Sequence, residues 1–139
     1  MATTTFTPAA AHAGLLRRAL QADAIVTGLC GAILLLDAAP LAQFMGLGGT
    51  FALRVLGADL LLAAAWIAYE AWRAELRPRA AQIIIGLCAL WVLASVVVVA
   101  ANPFALTVGG RWLVAGVADL TALIGLAEYV GLRRLARNA

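Results

Sequence analysis

Four long, mainly apolar stretches, at positions 15–36, 51–72, 81–101 and 112–132, leave this chain few possible folds. Each is about 20 residues long, and at 1.5 Å per residue a helix of that length crosses about 30 Å of hydrocarbon. Lipid cannot satisfy backbone N–H and C=O groups, so a spanning segment must be a helix or part of a closed barrel. The stretches lack the strict apolar–polar alternation of barrel strands. All four prolines (Pro8, Pro40, Pro78 and Pro103) fall between or before them, where a residue that breaks helices belongs. The composition agrees. Hydrophobic residues make up 65% of the 139 positions and charged residues 12%, with mean hydropathy +0.99. Soluble domains lie nearer 45–50% and about 25%. The expected fold class is all-α: a polytopic membrane protein with a four-helix bundle as its single domain, over 14–139. Residues 1–13, rich in Thr and Ala, are expected to form a disordered cytoplasmic tail.

Every one of the ten basic residues is arginine. Arg17 and Arg18 precede the first span. Arg73, Arg77 and Arg79 lie between the second and third, and Arg133, Arg134 and Arg137 follow the fourth. These clusters fall on one side of a four-span chain, and the other side has only Arg54 and Arg111. Arginine excess marks the cytoplasmic face, so both termini are expected there. Topology thereby accounts for the net charge of +3, and no nucleic-acid partner is needed to explain it. A cleaved signal peptide is the competing reading of the first span, with Arg17-Arg18 as its charged region and the Ala38-Ala39-Pro40 stretch as its cleavage zone.

The chain reads as a duplicated hairpin, with repeats at about 14–75 and 76–135. Gly28-Leu29-Cys30 matches Gly86-Leu87-Cys88. Gly48-Gly49 precedes the second span as Gly109-Gly110 precedes the fourth. Asp59 in the second span matches Asp119 in the fourth, and Tyr69-Glu70 is echoed by Glu128-Tyr129. A repeat with an even number of spans keeps its orientation, so the halves should be parallel repeats about an axis along the membrane normal. Small residues spaced four apart (Ala24, Gly28 and Ala32; Ala64 and Ala68; Ala118 and Ala122, then Gly125) are the expected packing surfaces.

Acidic residues inside a bilayer are costly, and each is a functional-site hypothesis by default. Asp59 and Asp119, with Asp23 in the first span and Trp66 on the stripe of Asp59, are the candidate intramembrane site. Two carboxylates brought together in low dielectric cannot both ionise easily. Such a pair can carry a proton, hold a cation or bind an amine. The competing reading is structural, with each aspartate fixing helix register through a neighbour. Asp37, Arg54 and Arg111 are candidates for interface ion pairs at the outer boundary. Glu128, near the arginine-rich boundary, reads as a side chain that snorkels to water. Cys30 and Cys88 read as small core residues. No close Cys-x-x-Cys pair exists and the single histidine, His12, lies in the tail, so no metal or cofactor is expected. No nucleophile–base set or phosphate loop is visible, which argues against an enzyme.

The stretch Ala39-Pro40-Leu-Ala-Gln-Phe-Met-Gly-Leu-Gly, followed by Leu53-Arg54-Val-Leu-Gly57-Ala-Asp59-Leu, resembles the small four-helix DoxX-like membrane proteins. The resemblance lies in a Leu-Gly loop leading into an Arg-x-x-Gly helix start. It covers the first two helices and implies a bacterial inner-membrane protein. No catalytic residue is carried over. Taken together, the sequence suggests a structural or accessory subunit in the lipid bilayer, packed in a homo-oligomer or a larger membrane complex. The alternative is small-molecule, cation or proton binding or transport around Asp59 and Asp119.

Overall fold

The structure is a computed structural model and describes residues 8–137. It contains five helices: α1 (Pro8–Leu36), α2 (Ala38–Met45), α3 (Phe51–Ala71), α4 (Pro78–Ala101) and α5 (Val108–Arg137). All but α2 are long and apolar enough to cross a membrane. The protein is thus an all-helical, multi-pass membrane protein, as its hydropathy requires. The expected spans agree with the helices to within a few residues at most ends. α1 starts earlier than expected, so residues 8–13 of the supposed tail are helical, while residues 1–7 lie outside the described part. Pro78 occupies the first turn of α4, where its missing N–H costs nothing.

Helix α2 is the element that hydropathy alone does not reveal. It is only eight residues long, too short to span. Pro40 sits in its first turn, which a helix tolerates. Gly46 closes it in the left-handed conformation (φ +78°), and the N–H of Leu47 reaches back to the Ala42 carbonyl at 2.8 Å. Thr107 then ties α2 to the start of α5. Its hydroxyl donates to the Phe44 carbonyl at 2.6 Å and accepts from the Gly110 N–H at 3.0 Å. Its own N–H donates to the Met45 carbonyl at 3.0 Å.

Helix α1 packs along α3 and against α5, and α5 also packs along α4. The tightest approach is between α1 and α3. A Cβ on Gly31 would come 2.8 Å from the Gly57 carbonyl oxygen, and a Cβ on Gly57 would meet the Gly31 oxygen at the same distance. Small residues drive such approaches in lipid, where apolar burial gives no net gain between helices. Gly28 lies beside Ala64 on the same interface, where an added Cβ would come 3.5 Å from the Ala64 Cβ. Of the small residues expected to pack on α1, Ala24 is buried and Gly28 meets Ala64, while the closest point is Gly31. On α5, Ala118 and Gly125 are buried as expected, while Ala122 is exposed. Gly131 rests on the backbone of Leu16, which a Cβ at that position would meet at 3.1 Å.

Two buried clusters close the bundle. At the arginine-rich end Leu16, Leu20, Ile67, Ala71, Ala81 and Ile84 pack together. At the opposite end Ala38, Ala42, Met45, Leu53 and Leu106 do so. Between these ends α3 and α4 do not pack side by side, although only a short loop joins them.

Candidate functional site: a cavity and a buried acid pair

The gap between α3 and α4 is a cavity of about 360 Å³, floored by α1 and α5. Its walls are mostly apolar: Leu60 and Ile67 from α3, Ile84, Leu87 and Leu90 from α4, and Val117 from α5. Trp66 and Trp91 add two indole rings from opposite walls. The polar groups are Asp23, Thr27 and Cys30 on α1, Asp59 on α3, Cys88 on α4 and Thr121 on α5.

Three of the four residues singled out in the sequence therefore meet in one cavity. Asp23, Asp59 and Trp66 line it, and Asp119 does not. Both Asp59 and Asp119 are exposed on the bundle surface. Val117 and Thr121 of α5 line the cavity, while Asp119, between them in sequence, points away from it. Asp37 precedes α2 without capping it through its side chain. Among the described residues no ion pair joins Asp37, Arg54 or Arg111 to another charge.

The most buried acids lie elsewhere. Asp23 is 2% exposed and Glu128 is 0% exposed. Asp23 sits six residues beyond Arg17 on α1, and Glu128 sits five before Arg133 on α5, so each lies within roughly 10 Å of the arginine level. They face each other across the seam between α1 and α5, with Cys88 of α4 beside them; one donor atom from each of the three lies within 4.8 Å of the others. The Thr27 hydroxyl donates to Asp23 Oδ1 at 3.1 Å, and the Cys88 thiol lies 3.7 Å from Asp23 Oδ2. Neither oxygen of Glu128 has a hydrogen-bond donor. Its polar neighbour is the Asp23 carboxylate, which can bond to it only when a proton lies between them. Glu128 does not snorkel. Gly125 and Gly131 flank it at three-residue spacing on the packing face of α5, so the helix presents the carboxylate inward. That Gly-x-x-Glu-x-x-Gly spacing is the sequence signal that could have found it.

Glu70 lies 58 positions before Glu128, the same offset that separates Cys30 from Cys88. It is also buried, at 4% exposure. Its surroundings differ, because Arg77 lies 3.7 Å from Glu70 Oε1. At that same offset, Asp23 corresponds to Ala81. One buried glutamate thus has a guanidinium, and the other has a second carboxylate.

Arg17 closes the arginine-rich end, donating to the carbonyls of Arg73 and Ala74 at 2.9 and 3.0 Å. Arg73 and Arg133 stack over Tyr69 and Tyr129, their neighbours one helical turn earlier, at 5.2 and 5.7 Å. No protein-family model, curated protein or solved structure matches the chain.

Proposed function

We propose that this protein binds a small positively charged ligand inside the membrane, at the Asp23–Glu128 pair, with access through the cavity between α3 and α4. The observation that carries this reading is Glu128, which is wholly buried against another carboxylate with no donor on either oxygen. Desolvating a charge costs several kcal/mol unless a counter-charge or hydrogen bonds offset it. Two facing carboxylates are balanced by a proton or by a cation. A cation can reach them because Asp23 lines an open cavity. The two indoles in that cavity favour a cation further, since tryptophan faces attract positive charge. Asp59, exposed along the same cavity, supplies a second acidic group on the route. This moves the centre of the binding reading from Asp59 and Asp119 to Asp23 and Glu128. An accessory-subunit role draws support only from the lack of an evident catalytic set, which is weaker than a built cavity. The bacterial inner membrane, with the arginine-rich end in the cytoplasm, is the setting that the charge asymmetry supports.

The test is a ligand panel on the purified protein in lipid nanodiscs: tetraphenylphosphonium, sodium, zinc and cadmium. Thermal stability and tryptophan fluorescence are read for the wild type and for Asp23→Asn combined with Glu128→Gln. A ligand at a hundredfold excess over its Kd stabilises by about 2.7 kcal/mol. At least one cation should do this in the wild type and fail in the double variant. If none does, or if the effect persists in the double variant, the reading is wrong.

A further inference from the structure

We infer that Asp23, Cys88 and Glu128 form a site for one thiophilic divalent metal ion of the zinc class. The inference rests on the cation-binding reading above and names the kind of cation.

The donor set comes from three helices: a carboxylate on α1, a thiol on α4 and a carboxylate on α5. Zinc takes sulfur at about 2.3 Å and carboxylate oxygen at about 2.0–2.2 Å, so a tetrahedral site separates S from O by about 3.6 Å. The observed separation between Cys88 Sγ and Asp23 Oδ2 is 3.7 Å. All three donors already lie within 4.8 Å of one another, so side-chain adjustments of about 1 Å would complete the tetrahedral spacing. A thiol donating to a carboxylate would show a similar S–O distance. Glu128 decides between the two. It is 0% exposed and faces this cluster, and neither of its oxygens has a donor. A thiol–carboxylate bond does not engage that group, whereas a metal uses it as the third ligand.

The surroundings suit such a site. Thr27 holds Asp23 Oδ1 by its hydroxyl, leaving Oδ2 for the metal, which is how outer partners usually orient ligating groups. On binding, Cys88 gives up its thiol proton to solvent and its sulfur bonds the ion. Asp23 and Cys88 both line the cavity, so a fourth coordination position would open there. An organic ammonium would gain little from a thiol, and sodium or magnesium prefers an all-oxygen shell. The mix of one sulfur and two carboxylates is what points to a borderline-soft divalent ion.

The test uses cadmium as the probe, on the full chain carrying Cys30→Ala so that Cys88 is the only thiol. Cadmium is titrated into the protein in nanodiscs while ultraviolet thiolate-to-metal absorption is recorded. Protection of Cys88 from a maleimide is measured in parallel and needs no change at the site. One equivalent should bind, produce the absorption and protect Cys88. Cys88→Ser should remove the absorption, Glu128→Gln should weaken binding strongly, and Thr27→Val should weaken it about tenfold. Absence of uptake, or binding without absorption or protection, overturns the metal assignment. If tetraphenylphosphonium still stabilises the wild type and not the double carboxyl variant, the cation reading survives that failure. If neither it nor sodium does so, both fall.

Discussion

The two seams between the hairpins are built in opposite ways. Where α1 meets α5 the helices touch, with Gly131 against the Leu16 backbone and Glu128 sealed against Asp23. Where α3 faces α4 the helices stand apart and leave a cavity. Glu70, 58 positions before Glu128, lies beside Arg77, and Ala81 lies 58 positions after Asp23. The bundle thus has one closed seam that holds polar groups and one open seam beside them. In lipid, helices associate through van der Waals packing and interhelical hydrogen bonds, so a small residue helps only where a neighbour closes on it. Gly86 and Gly116 have open space where a Cβ would go, whereas Gly31 and Gly57 touch backbone.

The strongest way to break this contrast is to give the open side the acid it lacks. Ala81 is buried, 58 positions after Asp23. Ala81→Asp should destabilise by about 3–5 kcal/mol, the usual cost of an uncompensated buried charge, as read by thermal unfolding in detergent. Next is the closed seam itself. Gly131→Leu forces a side chain onto the Leu16 backbone and should cost about 1–3 kcal/mol, whereas Gly86→Leu, facing open space, should stay within about 0.5 kcal/mol of wild type. A gain is expected at the acid pair. Glu128→Gln supplies a donor to Asp23 and should stabilise the ligand-free protein by about 1–2 kcal/mol, while weakening any stabilisation by cations. The smallest effect belongs to the partnered acid. The Arg77 side chain is 56% exposed, so the loss of its pairing in Glu70→Gln should amount to less than about 1 kcal/mol.

The spans were legible because hydropathy, proline placement and arginine clusters depend on local composition, which lipid imposes directly. The short α2 was not, since eight apolar residues containing Pro40 read as a loop until Gly46 and Thr107 are seen to cap and tether them. The site was half legible. Asp23, Asp59 and Trp66 stood out as polar or aromatic groups inside spans, and they do share a cavity. Asp119 stood out for the same reason, but helix rotation puts it outside that cavity. Glu128 was passed over because a glutamate two turns from an arginine cluster looks like a boundary residue. Its inward direction comes from the glycine spacing of α5, and its pairing with Asp23 spans more than a hundred positions of sequence. Local pattern can show that a residue is unusual; which residues meet is decided by which seam closes.

The claim that the open seam leads to groups buried in the closed one can be measured at Cys88, which is 9% exposed and lines the cavity. In the Cys30→Ala chain, the rate at which a membrane-permeant neutral thiol reagent labels Cys88 is compared with and without Ala94→Trp, which fills the cavity from α4. The account predicts labelling of Cys88 in the open protein and at least a tenfold slower rate when the cavity is filled, with the fold unchanged by circular dichroism. Equal rates in the two proteins would contradict it, because Cys88 would then be reached by some path other than the gap between α3 and α4.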